Sequence, residues 1–127
     1  VADKLEGDME NYNITIIGEH YKKGLVYGKV NDMEWFAQVN KVESENGINP
    51  DCLKSNQGRV MKLCVYKDII EEEGDPFKLV FKTSRYIYAE YDCKWEVFNM
   101  KYYSLIYNLV NYLEKRYSLK VIDGKGN

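Results

Sequence analysis

A chain of 127 residues has the size of one domain and is long enough to bury a core of its own. Hydrophobic residues make up 45% and charged residues 30%, which excludes a disordered chain, and 18 basic against 20 acidic residues leave a formal charge of −2. That balance lacks the concentrated positive field that broad nucleic-acid or acidic-membrane binding demands, so neither partner is expected.

Residues 1–11 are polar and acidic and read as a flexible N-terminal segment. Residues 12–17, YNITII, alternate and form the first predicted strand, with a turn over residues 18–23. Residues 24–30 and 33–42 make the clearest hairpin, joined by Asn31-Asp32, two residues that tolerate positive φ. Residues 43–57, ESENGINPDCLKSNQ, show no periodicity and contain Asn46-Gly47 and Asn49-Pro50. They read as a long polar loop, of a length often found in functional or mobile segments.

Residues 58–67, GRVMKLCVYK, are a strong strand that the acidic turn over residues 69–76 is expected to end. Residues 77–82 and 85–91 suggest a further hairpin around Thr83-Ser84, and residues 91–95 lead out of the sheet.

Residues 99–119 then change period. Leu105, Ile106, Leu109, Val110, Leu113 and Tyr117 recur at spacings of three and four, which fits a helix and no strand. Asn99 can accept from a free N–H of the first turn and is the expected N-cap. Lys115 and Arg116 complement the helix dipole near its end, and residues 120–127 read as a flexible tail. The predicted architecture is therefore α+β: an antiparallel sheet of about six strands with one long C-terminal amphipathic helix packed on it, a single domain over residues 12–119. One helix covers one face of such a sheet. The other must be wet, curled on itself or buried against another copy, and a homo-oligomer is expected.

Chemistry is sparse. Cys52, Cys64 and Cys93 are odd in number and form no CxxC, so neither a disulfide framework nor a zinc site is expected. His20, the only histidine, has no nucleophile near it in sequence, and no Walker loop is present. Glu71, Glu72 and Glu73 form a run typical of a solvated surface. No catalytic residue, metal or cofactor is expected, and binding is favoured over turnover.

The pieces for a binding site are the three arginines, set against fifteen lysines, and an aromatic group beside Asp92. Arg59, Arg85 and Arg116 offer paired donors to phosphate oxygens, while Tyr91, Trp95 and Phe98 offer rings for a base to stack on. Trp95 and Phe98 could equally staple the helix to the sheet, and Asp92 could accept from Arg59 or cap the local backbone. No signal peptide is recognisable, and no apolar run approaches the about eighteen residues of a membrane helix, so a cytoplasmic protein is expected.

The segments FAQV (36–39), ESENGIN (43–49), GRVMKL (58–63) and YDCKW (91–95), followed by a closing helix, together resemble a small phage-borne family. Its members carry AKV, SEYGI, GRISKL and YDRGW in that order. The likeness covers roughly residues 24–118. Cys93-Lys94 stands where the family has Arg-Gly, and residues 50–57 lengthen the link before the GR motif.

This pattern resembles phage anti-Thoeris proteins, oligomers that capture cyclic ADP-ribose isomers made by a bacterial TIR-domain defence protein without cleaving them. The resemblance implies a small cyclic nucleotide-like ligand and a place in the cytoplasm of the bacterial host. It also implies Arg59 as a phosphate or ribose ligand, Arg116 as a second, and Tyr91, Asp92 and Trp95 as pocket-shaping residues. Two alternatives stand beside it. One is a phage-encoded module that inhibits a host defence protein by direct contact through the residue 43–57 loop and the tyrosine-rich faces. The other is a cyclic-nucleotide-degrading enzyme with Asp92 or a glutamate as base.

Overall fold

Strict alternation of apolar and polar side chains dictates the sheet. In the computed structural model, which describes residues 12–126 except the side chains of Tyr21 and residues 119–126, Val26, Gly28 and Val30 face inward from one strand. Met33, Trp35, Ala37 and Val39 face inward from the next. The strands are β1 (Ile14–His20), β2 (Leu25–Val30), β3 (Met33–Ile48), β4 (Asn56–Asp75), β5 (Lys78–Asp92) and β6 (Trp95–Phe98). They pair antiparallel in chain order, each with its neighbours in sequence. The expected β2–β3 hairpin closes at Asn31-Asp32, with Val30 opposite Met33 and Asn31 at φ 55°. The turn is held to β1 by the Asn31 side-chain oxygen, which accepts from Asn13 N–H at 3.0 Å.

The helix α1 (Tyr103–Gly126) crosses the inner face. Leu105, Ile106, Leu109, Val110, Leu113 and Tyr117 are all buried, as their spacing requires. Burying each aliphatic side chain among them contributes about 1.5–3 kcal/mol. Asn99 is a cap, but of a 3-10 turn, Met100–Tyr102, that leads into the helix: its side-chain oxygen accepts from Lys101 N–H. Residues 1–11 lie outside the described residues, while the helix backbone continues through the stretch read as a tail after Leu119.

Two expectations about the strands are overturned. Residues 43–57 are not a structureless loop: β3 continues through Ile48 and β4 begins at Asn56, so the connection is residues 49–55. That connection is docked. Leu53 is buried, the Pro50 carbonyl accepts from Asn111 of the helix, and the Leu53 carbonyl accepts from Trp95. The crossing of β3 and β4 explains two glycines, since a Cβ on Gly47 would sit 2.0 Å from the Gly58 carbonyl oxygen. One on Gly58 would sit 1.8 Å from that of Ile48.

The second correction concerns the acidic run. It does not end β4 at residue 69, nor does Thr83-Ser84 turn the chain. β4 runs on to Asp75 and β5 returns unbroken from Lys78, so Pro76-Phe77 is the turn and Ile70 lies opposite Thr83. β3 accompanies β4 only as far as Tyr66, and β6 accompanies β5 only from Ala89. The remainder is a two-stranded arm with no helix beneath it. Charge alone does not break a strand whose cross-strand partners compensate it, and Glu71 faces Lys82 while Asp75 faces Lys78.

Candidate functional site

The three arginines go to three different places, each already met by a carboxylate. Arg59 leaves β4 toward the helix. Its backbone N–H and Nη1 donate to the two carboxylate oxygens of Glu114 at 2.9 and 2.5 Å, and Nε donates to the Lys41 carbonyl. Glu43 lies 4.0 Å away. Glu114 thus takes the place the sequence offered to Asp92. Asp92 is exposed, and its N–H donates to the Lys94 carbonyl across a tight turn in which Cys93 has φ 66°.

Arg116, on the helix, donates to Glu19 of β1, whose other oxygen accepts from the Tyr117 hydroxyl. Burial, and then the neighbouring Glu19 carboxylate, push the Tyr117 phenol far above its ordinary range. Arg85 forms a two-pronged bond with Asp68 at 2.8 and 3.1 Å, with its guanidinium carbon 3.9 Å from the centre of the Tyr66 ring. The hydrogen bonds from Arg85 hold the Asp68 carboxyl below its usual value.

The aromatic residues do come together. Tyr91 is buried, donates to the Asn46 carbonyl and accepts from Asn56 at 2.6 Å, and burial raises its phenol. Trp95 stands edge-on to Tyr91 and to Phe98, with ring centres 5.0 and 4.7 Å apart. Phe98 continues to Tyr103, 5.8 Å away, and Tyr103 stacks on Tyr107. The indole N–H bond to Leu53 fixes this row against the docked connection. Trp95 therefore both staples the connection and walls a concavity.

That concavity, about 190 Å³ and open to solvent, is lined by Leu53, Lys54, Trp95, Phe98, Met100 and Tyr103. It offers an apolar, ring-lined surface with a single ammonium beside it. A second concavity, about 290 Å³, lies across the residue 99–103 segment, where Tyr12, Tyr88 and Tyr102 meet Asn31, Asp32 and Lys101. None of the residues offered from the sequence as binding residues lines it, although the turn residues Asn31 and Asp32 and the helix residue Leu105 do. A β-bulge helps to form it: Val65 pairs with Ala89 but Tyr66 pairs with Ile87, leaving Tyr88 extra with its ring 4.8 Å from that of Tyr102, and no local sequence pattern announces this. No arginine lines either concavity.

Among the described residues no group of three His, Cys, Asp or Glu side chains could hold a metal ion, and no helix is long and apolar enough to cross a membrane. Compared with protein-family models, with curated proteins and with solved structures, the chain matches none.

Proposed function

We propose that the chain is a non-catalytic binding protein that sequesters a nucleotide-derived signalling molecule, a cyclic ADP-ribose isomer, and thereby blocks a bacterial anti-phage defence. The observation that carries this reading is the ring-walled concavity. Trp95, Phe98 and Tyr103 offer faces and edges to a planar base, and Lys54 offers an ammonium to a phosphate beside it. The order of the GRVMKL and YDCKW motifs supports the choice of ligand by resemblance. Arg59 and Arg116, already paired with carboxylates, hold the helix to the sheet, so the phosphate contact falls to lysine. Ring stacking contributes about 1–3 kcal/mol per base, which makes Trp95 the residue whose loss weakens capture most.

The test mixes purified protein with a cyclic ADP-ribose isomer at matched concentration. Free ligand falls in proportion to protein, and heating returns it intact. Lys54→Glu and Met100→Ala, both on exposed side chains, weaken capture without unfolding the chain. Undiminished free ligand overturns the assignment, and recovery of a hydrolysed product overturns passive sequestration.

A second reading, a phage-encoded module that inhibits a host defence protein by direct contact, is favoured by one observation. The β4–β5 arm displays Ile70, Phe77 and Phe81 to solvent, Phe77 at 97% exposure. A purified host defence protein bound by wild type and lost with Phe77→Asp would support it.

A further inference from the structure

The larger concavity, about 290 Å³, has no part in the reading above, yet its walls are built. One wall is the β2–β3 turn. There Asn31 N–H donates to the Asn13 carbonyl at 2.9 Å, and Asp32 accepts from Lys67 of β4 at 3.0 Å. Another is the 3-10 turn before α1, where Asn99 N–H donates to the carbonyl of the bulged Tyr88 at 2.8 Å. Both turns are tied to the sheet, so little order is lost when a ligand enters between them.

Hydroxyls dominate the lining. Those of Tyr12, Tyr88 and Tyr102 bond to nothing among the described residues and are not among the buried atoms left without a partner, so solvent reaches them. Ser104, exposed at the start of α1, adds a fourth. Each hydroxyl both donates and accepts. Beside them stand a fixed acceptor, the Asp32 carboxylate, and two fixed donors, the Lys101 ammonium and the Asn31 amide, whose oxygen is already held by Asn13.

The rings restrict what can stack. Tyr88 meets Tyr102 edge-on with centres 4.8 Å apart and has Tyr86 at the same distance, while the Lys101 ammonium lies over the Tyr102 ring at 5.8 Å. Tyr88 and Tyr102 thus each have two neighbours against the ring, and a flat base finds no open pair of faces to slip between. Tyr12 has no ring against it among the described residues and leaves its own free for the C–H groups of a ligand.

Charge narrows the choice further. Lys67 matches Asp32, which leaves Lys101 as the lining charge with no carboxylate opposite it among the described residues. A second cation is repelled by Lys101, and a doubly charged phosphate meets one ammonium together with the Asp32 carboxylate. A ring bearing several hydroxyls and one carboxylate gives every lining group its complement. Size agrees, since about 290 Å³ is at the lower bound of the about 300–1,000 Å³ of small-molecule pockets.

We propose that this concavity binds a small saccharide of one or two rings, an acidic sugar in preference to a neutral one. Asp32 and the tyrosine hydroxyls bond the sugar hydroxyls, Lys101 meets the carboxylate, and Tyr12 covers the C–H side. The assignment does not depend on the ligand of the ring-walled concavity.

The experiment titrates the isotope-labelled full chain at neutral pH and follows its backbone amide resonances. The probes are glucuronate, glucose and glucosamine, which share a ring and differ in charge, and adenosine. Glucuronate is expected to shift the amides of Asp32, Ser104 and Leu105 and to bind tightest, glucose about two- to fivefold more weakly, and glucosamine weakest. Lys101→Gln, on an exposed side chain, removes the advantage of glucuronate over glucose. Tyr102→Phe keeps the ring, loses one hydroxyl and weakens both about threefold. No shift with any sugar overturns the proposal. Adenosine shifting these amides more than the sugars do overturns it in favour of a stacked base. Glucosamine binding as tightly as glucuronate overturns it too, as do sugar shifts confined to Leu53 and Trp95, which move the sugar to the other concavity.

Discussion

Arg59 and Glu114 form the most buried ion pair among the described residues. Among the described residues Glu114 is the one buried charged residue, and both its oxygens are occupied by Arg59, one by the backbone N–H and one by the guanidinium. Removing the carboxylate leaves a mostly buried guanidinium and a main-chain donor without an acceptor. Breaking a buried pair on one side costs about 3–5 kcal/mol, and this one is near the lower end because Lys41 and Glu43 still face Arg59. Glu114→Ala is therefore expected to destabilise the protein by about 3 kcal/mol in urea unfolding. Arg59→Lys, which keeps the charge and loses the fork, is expected to cost less. The scarcity of arginine raised the question of whether Arg59 needs its donor fork, and the fork is spent on Glu114 and the Lys41 carbonyl. Its role was not legible, because its partner lies 55 residues away and nothing local in either segment announces the other.

At the level of elements, the helix was written plainly in the chain and the arm was not. A period of 3.6 over Leu105 to Tyr117 admits one buried stripe, and the buried residues are the ones the spacing names. Leu113 is fully buried in that stripe, so Leu113→Ala is expected to cost about 3 kcal/mol through lost burial and the cavity left behind, read from the midpoint of denaturant unfolding. The strands were legible where one face is buried, and misread where neither is. Over residues 69–83 no core imposes alternation, so three consecutive glutamates look like an ending, although the register sets Glu71 against Lys82. Two of the sheet's bulges were equally hidden. A single extra residue at Met61 turns Val60 into the core, and another at Tyr88 separates Arg85 and Ile87 from Ala89 and Tyr91. Tyr91, Trp95 and Phe98, close in sequence, do lie ring to ring, although Tyr91 does not line the concavity. Leu53 and Lys54 reach it only by docking of the connection, which no local pattern records.

Taken whole, the molecule binds protons more tightly at high pH than its unfolded chain does. Burial, then the Glu90 carboxylate, raise the Cys64 thiol to about 11, and burial raises the phenols of Tyr66, Tyr88, Tyr91 and Tyr117. Each of these groups is neutral when protonated and has a higher folded than unfolded pKa. Its contribution is complete below the unfolded value and is lost as pH rises through the folded one. For Cys64 that window opens near pH 9 and extends to about 11, and for the tyrosines it opens near pH 10. Urea midpoints are expected to hold steady from neutral pH to about 9 and to fall beyond it. Cys64→Ala is expected to delay the onset toward the tyrosine window.

Pairing of every strand with its neighbour in the chain has a consequence for synthesis. Each hairpin can close as soon as its second half leaves the ribosome, with short loops and little search. The greasy underside of the meander, Trp35 and Val65 included, stays wet through all of this, because its cover is translated after every strand. The nascent chain thus acquires its backbone bonds early and its dry interior in a single late step.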